Sequence, residues 1–236
     1  MPPEPRERLI FALDVPSADE AKRLLDRVGD AVGFVKIGLE LFTAAGPDMV
    51  RWAVAQNKRV FLDLKLFDIG ETVKRAAAAA ADLGATLLTV HAAGQTVRAA
   101  VEGRGWAPMK ILAVTVLTSF SEADLQESGV VESVRDTVLR RARLAAASGA
   151  DGVVASGGEA AMIRRDFGKG PLIVVPGIRP AGSSHDDQIQ VTTPAGAIAA
   201  GADYLVVGRP IRDAADPAAA ARAIQAEIEV ALTYGG

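Results

Sequence analysis

The residues best placed to do chemistry lie in one short stretch, residues 59–72, RVFLDLKLFDIGET. Its Asp63-x-Lys65-x-x-Asp68 pattern sets an ammonium between two carboxylates within an otherwise apolar run. Side chains alternate across a strand, so Asp63 and Lys65 point to one side, and Asp68 lies just past the strand end. Burying such charges is costly unless they are paired, so the stretch holds either a structural ion pair or a working charged wall. Two carboxylates beside a lysine favour its ammonium form, the opposite of the apolar pocket that activates a Schiff-base amine. The chemistry indicated is therefore electrostatic and proton-based, and a covalent imine is disfavoured.

The elements that would position this wall can be read in chain order. Val60, Phe61, Leu62, Leu64 and Leu66 form the near-continuous apolar run of a parallel strand covered on both faces. Residues 9–14 make a first strand ending in Asp14, and a Ser/Asp-type cap opens the next helix. Residues 33–38 make a second strand with Lys36 as another charge in an apolar run. Further strands are expected at 85–91, ending in His91, and at 109–117, 151–156, 171–175 and 202–207. Thr118-Ser-Phe-Ser121 follows the strand at 109–117, then a polar, mobile segment is expected to about Glu132 and a helix to Ser148.

Leu83-Gly-Ala, Ser148-Gly-Ala and Ala200-Gly-Ala each set glycine where a helix stops before a strand. The alanine run 76–81 reads as a tightly packed helix rather than low complexity. Eight strands alternating with helices predict a single (β/α)8 barrel spanning 1–236, with 1–7 as a flexible extension. An open doubly wound sheet fits less well, because no GxGxxG follows the first strand.

In such barrels the site lies at the C-terminal ends of the strands, and the loops after strands seven and eight often hold phosphate. Here those loops read Pro176-Gly-Ile-Arg-Pro and Gly208-Arg-Pro, each joining a glycine to a guanidinium. Arg179 and Arg209 are the expected anion clamp, the plain alternative being surface arginines in turns. The segment 178–184 is a candidate lid.

Composition narrows the function classes. The chain has 236 residues, a net charge of −3 and no block of Lys or Arg, which disfavours a nucleic-acid partner. It lacks the ~18-residue apolar run of a membrane span and the apolar core of a signal peptide, so a cytoplasmic protein is expected. There is no cysteine, and His91 and His185 lie far apart, which favours a mechanism without metal or cofactor. His91 reads as a scaffold residue, His185 as lid surface, and Trp52 and Trp106 as packing residues or helix-face anchors.

These residues together resemble the orotidine 5′-monophosphate decarboxylases in their bacterial form. The resemblance covers the whole barrel. It rests on Ala-Leu-Asp14, Val-Lys36-Ile-Gly, Asp63-Leu-Lys65-Leu-Phe-Asp68-Ile69, Thr72, Val-His91-Ala, Val-Leu-Thr118-Ser, Val-Pro-Gly-Ile-Arg179, Gln188 and Val-Gly208-Arg209. It implies a charged tetrad of Lys36, Asp63, Lys65 and Asp68, with Lys65 the proton donor. It also implies that Asp14, Lys36, Asp63, Ile69 and Thr72 meet the substrate, with Asp14, Lys36 and Thr72 at the ribose. Thr118 would contact the pyrimidine, and Arg179, Gln188, Gly208 and Arg209 would address the phosphate. A homodimer is implied in which Asp68 and Thr72 complete the neighbouring site. One departure is Gly70, where the family has proline.

Loss of carbon dioxide from C6 of orotate leaves a lone pair in the ring plane that the ring carbonyls cannot delocalise. A nearby ammonium suits that need, since it can stabilise the charge and then deliver a proton. The alternatives are a magnesium-dependent sugar-phosphate decarboxylase or aldolase on a similar barrel, and a phosphate-ligand-binding barrel without catalysis. The magnesium enzymes resemble this chain but carry a glutamate ligand at the end of strand two, where Lys36 cannot bind a divalent cation.

Overall fold

The computed structural model describes residues 4–180 and 192–234. Eight strands are seen among them: β1 Leu9–Ala12, β2 Phe34–Gly38, β3 Arg59–Leu66, β4 Leu87–His91, β5 Lys110–Val114, β6 Gly152–Val154, β7 Leu172–Val175 and β8 Tyr204–Val207. All pair in parallel and in chain order, and β8 pairs back to β1, closing a barrel. Every strand is followed by at least one helix, so the expected (β/α)8 architecture is the one observed.

Strand periodicity sorts the core into two shells. Ile10, Ala12, Phe34, Phe61, Leu87, Leu112, Val174 and Val206 point inward and plug the barrel. Their neighbours Leu9, Phe11, Val35, Ile37, Val60, Leu62, Leu88 and Val90 point outward beneath the helices. Each of these side chains larger than alanine contributes about 1.5–3 kcal/mol by leaving water. One step further along the inward rows stand Lys36 on β2, Asp63 on β3 and Thr89 on β4. The barrel therefore changes from apolar to polar at its C-terminal end, where a site belongs.

The three expected helix stops share one geometry. Gly84, Gly149 and Gly201 have φ of 83°, 91° and 93°, which only glycine adopts readily. Ala85, Ala150 and Ala202 then donate backbone N–H bonds to the carbonyls of Ala80, Ala145 and Ala197, five residues back, closing Schellman turns. The alanine run lies in helix Gly70–Asp82, packed so closely on helix Gly94–Arg104 that a Cβ at Gly103 would fall 2.0 Å from the Lys74 carbonyl oxygen.

Several local expectations are corrected. β5 ends at Val114 rather than 117, because Val116 and Leu117 leave the ladder to line a cavity. The segment expected to be mobile contains helix Glu122–Glu127. Ser121 and Asp124 cap it reciprocally, and Leu125 is buried beneath it. Pro5–Arg8, which overlaps the expected extension 1–7, forms a 3-10 turn, and Arg8, just past that extension, donates to the Ala202 carbonyl at 3.3 Å. Trp52 packs against the core as anticipated, but Trp106 is fully exposed in the turn after helix Gly94–Arg104.

Candidate active site

β3 does not run straight through its charged segment. Leu62 pairs with Leu88 and Leu66 with Val90, so β3 carries two more residues than β4 between the same two pairings. The excess is taken up as a bulge, and Lys65 has a φ of 50°, a left-handed conformation rarely found outside glycine. Asp63 and Lys65 do face the same cavity, but the bulge rather than plain alternation sets their geometry.

Together with their neighbours they form a chain of alternating charge. Lys36 Nζ donates to Asp14 Oδ1 at 2.6 Å and lies 3.8 Å from Asp63 Oδ2, while Lys65 Nζ lies 2.9 Å from that same Asp63 oxygen. The Lys36 and Asp63 side chains are only 11% and 13% exposed, so each depends on its opposite-charge neighbours. Gly38 makes this possible, since a Cβ there would stand 2.8 Å from Lys36 Nζ.

These charges form one side of a cavity of about 520 Å³ at the C-terminal mouth of the barrel. Val114, Val116, Leu117 and Val154 give it an apolar wall, and Thr118 lies at the edge of that wall. Gly177, Arg179, Gly208, Arg209 and Arg212 line it from the loops after β7 and β8. Arg179 is buried, with Nη1 donating to the Ile178 carbonyl at 3.0 Å. Arg209 opens the short helix Arg209–Arg212, directly after Gly208.

Of the residues singled out from sequence, Asp14, Lys36, Asp63, Lys65, Thr118, Arg179, Gly208 and Arg209 meet around this cavity. Asp68, Ile69 and Thr72 do not. All three are exposed, outside the lining, and Asp68 Oδ1 accepts the Ile69 N–H at 2.7 Å. Gln188, His185 and the lid residues 181–184 lie outside the described residues. Gly70 is the first residue of its helix, after Ile69 at φ −59° and ψ 148°, and is not among the left-handed glycines. This is the setting in which proline stands in other helices, so the glycine keeps the turn.

His91 is half buried beside the cavity, its ring edge-on to Phe67 with centroids 5.6 Å apart. Burial, and then the positive charges of Arg141 and Lys65, push its imidazole below the ordinary value.

Sequence reasoning missed two polar groups. Arg212 reaches the cavity rim, donates to the Asp14 carbonyl at 2.9 Å, and is held by a paired contact with Asp213 that draws the carboxyl below its usual range. Thr89 touches both Asp63 and Lys65 from β4. Its signal was present as a lone hydroxyl at an inward position of an apolar strand.

Comparison with known proteins agrees with this geometry. Residues 7–224 match the model of the Orotidine 5'-phosphate decarboxylase / HUMPS family. The chain is 58% identical over 226 residues to an orotidine 5'-phosphate decarboxylase of Rhodopseudomonas palustris strain HaA2, covering 96% of each chain. It is 56% identical over 230 residues to that of Afipia carboxidovorans, covering 98% of each. Among solved structures it is similar to orotidine 5'-phosphate decarboxylase from Lactobacillus acidophilus, with a TM-score of 0.84 and 39% identity over 94% of this chain and 99% of the other. With a closed parallel barrel, charges on its inward rows and near-complete coverage of these relatives, the chain belongs to the Orotidine 5'-phosphate decarboxylase / HUMPS family.

Proposed function

We propose that the protein decarboxylates orotidine 5′-monophosphate to uridine 5′-monophosphate, the last step of UMP biosynthesis, without a metal or other cofactor. The observation that carries this reading is the Asp63 carboxylate standing between the Lys65 and Lys36 ammoniums, in a cavity that Arg179 and Arg209 also line. The phosphate would sit at the arginine and Gly208 side, and the pyrimidine against the apolar wall with C6 toward Lys65. The bond from C6 to the carboxylate breaks and its electron pair stays on C6. The Lys65 ammonium stabilises that charge and transfers its proton to C6, and the resulting amine is reprotonated from solvent. Asp63 orients Lys65.

The family name also covers relatives of the HUMPS type. The magnesium-dependent reading is disfavoured because Lys36, ion-paired to Asp14 at the end of β2, offers a divalent cation a charge of the same sign. Chelated protein is expected to turn over fully, measured as the ultraviolet change of orotidine 5′-monophosphate. Activity that appears only when magnesium is restored sinks the reading.

The proposed working unit is a cytoplasmic homodimer. Among the described residues no helix is long and apolar enough to cross a membrane. Leu39, Phe67 and Ile69, which follow the C-terminal ends of β2 and β3, are 56%, 69% and 71% exposed, large apolar side chains suited to a partner. Asp68 and Thr72, also exposed, would then complete the neighbour's site. If so, mixing Lys65→Ala chains with Asp68→Ala chains restores activity that neither has alone, because one site of each mixed dimer receives both intact residues. Full exchange at equal amounts gives about one intact site in four. Activity that stays at the single-mutant floor after native mass spectrometry has shown exchange means that Asp68 serves its own chain.

A further inference from the structure

The left-handed backbone at Lys65 needs something to hold it, since for a residue with a Cβ it costs roughly 1–2 kcal/mol. The sheet ladder does not do so, because the bulge leaves the residues between Leu62 and Leu66 out of register with β4. One side chain bridges the gap. Thr89 Oγ1 accepts the Lys65 backbone N–H at 2.9 Å and donates its own proton to Asp63 Oδ1 at 2.8 Å. It is completely buried.

We propose that Thr89 is a positioning residue for the decarboxylation, fixing Lys65 and Asp63 relative to each other through a single hydroxyl. The inference rests on the reading of Lys65 as proton donor and Asp63 as its orienter. The hydroxyl engages Oδ1 and leaves Oδ2 to the Lys65 and Lys36 ammoniums, so the rotation of the carboxylate is set. Its other bond supplies the N–H of Lys65 with the partner that the ladder lacks, and so fixes where the lysine side chain departs. A β-branched side chain on a strand has few rotamers, so the direction of the hydroxyl is inherited from β4 itself. The proton donor thus takes its placement from the neighbouring strand. A displacement of about 1 Å at such a group lowers rates on the order of 10²-fold.

The test compares Thr89→Val, which keeps the shape and removes the hydroxyl, with Thr89→Ser, which keeps the hydroxyl. Thr89→Val is expected to lower kcat on the order of 10²-fold while KM and uridine 5′-monophosphate affinity stay within about threefold, because the phosphate clamp is untouched. Thr89→Ser is expected to retain kcat within about tenfold. If T89V does not yield folded protein by circular dichroism, Thr89→Ala carries the same expectation. A kcat within about threefold of the parent without the hydroxyl, a serine variant as impaired as the valine variant, or a parallel loss of product affinity each overturns the proposal. Lys65→Ala run alongside separates the two levels. An active K65A overturns the proton-donor reading itself, whereas an inactive K65A with a fully active T89V overturns only the role of Thr89.

Discussion

Lys65→Ala is expected to lower decarboxylation by at least about 10⁴-fold, because it removes both the general acid and the cation facing the developing charge. The same variant should bind uridine 5′-monophosphate within about tenfold of the parent, since Arg179, Gly208 and Arg209, from the loops after β7 and β8, are left intact. It should also fold. Lys65 is 30% exposed at the side chain, and Asp63 keeps the Thr89 hydroxyl at 2.8 Å and Lys36 at 3.8 Å after the lysine is lost. Kinetics and product titration on the same preparation check both halves. Turnover within about tenfold of the parent would show that the proton comes from elsewhere.

Arg209→Ala is expected to lower kcat/KM for the phosphorylated substrate by at least about 10²-fold, while leaving the phosphate-free nucleoside within about threefold. Arg209 opens its helix directly after Gly208, so the guanidinium and the loop backbone can meet the same dianion. Binding energy gained there, remote from C6, can be used to settle the reacting ring against Lys65. The ratio between the two substrates is the measurement. Equal losses for both would make Arg209 a structural residue of the β8 loop.

Much of this was legible in the sequence because the signals are local. Glycine after three of the helices and charges in apolar runs mark the alternation of helix and strand, the inward faces of β2 and β3, and the loops of Arg179 and Arg209. What was not legible depends on register between strands. Nothing in LDLKLF announces that β3 holds two residues more than β4 or that Lys65 turns left-handed, since that follows from closing the sheet. The contact of Thr89 with two residues of β3 is hidden for the same reason. Its partners lie 24 and 26 residues away and are set by the pairing of neighbours. The helix at Glu122–Glu127 was a different kind of miss. Its Ser121 and Asp124 capping pair was present, but the surrounding polarity was read as a loop.

The division of the strands into inward and outward rows bears on how this chain can drift. Point substitutions beneath the helices, at positions such as Leu9 or Val60, change packing in a shell away from the residues that line the cavity. Such changes should combine with changes at the site nearly independently. Insertions and deletions behave otherwise. Loss of one residue within β2 ahead of Lys36 would exchange the two rows in a single event, turning the lysine into the apolar shell and an aliphatic side chain toward Asp63. Homologous sequences should therefore exchange one apolar residue for another in the outer row, yet keep the residue spacing within β2 unchanged.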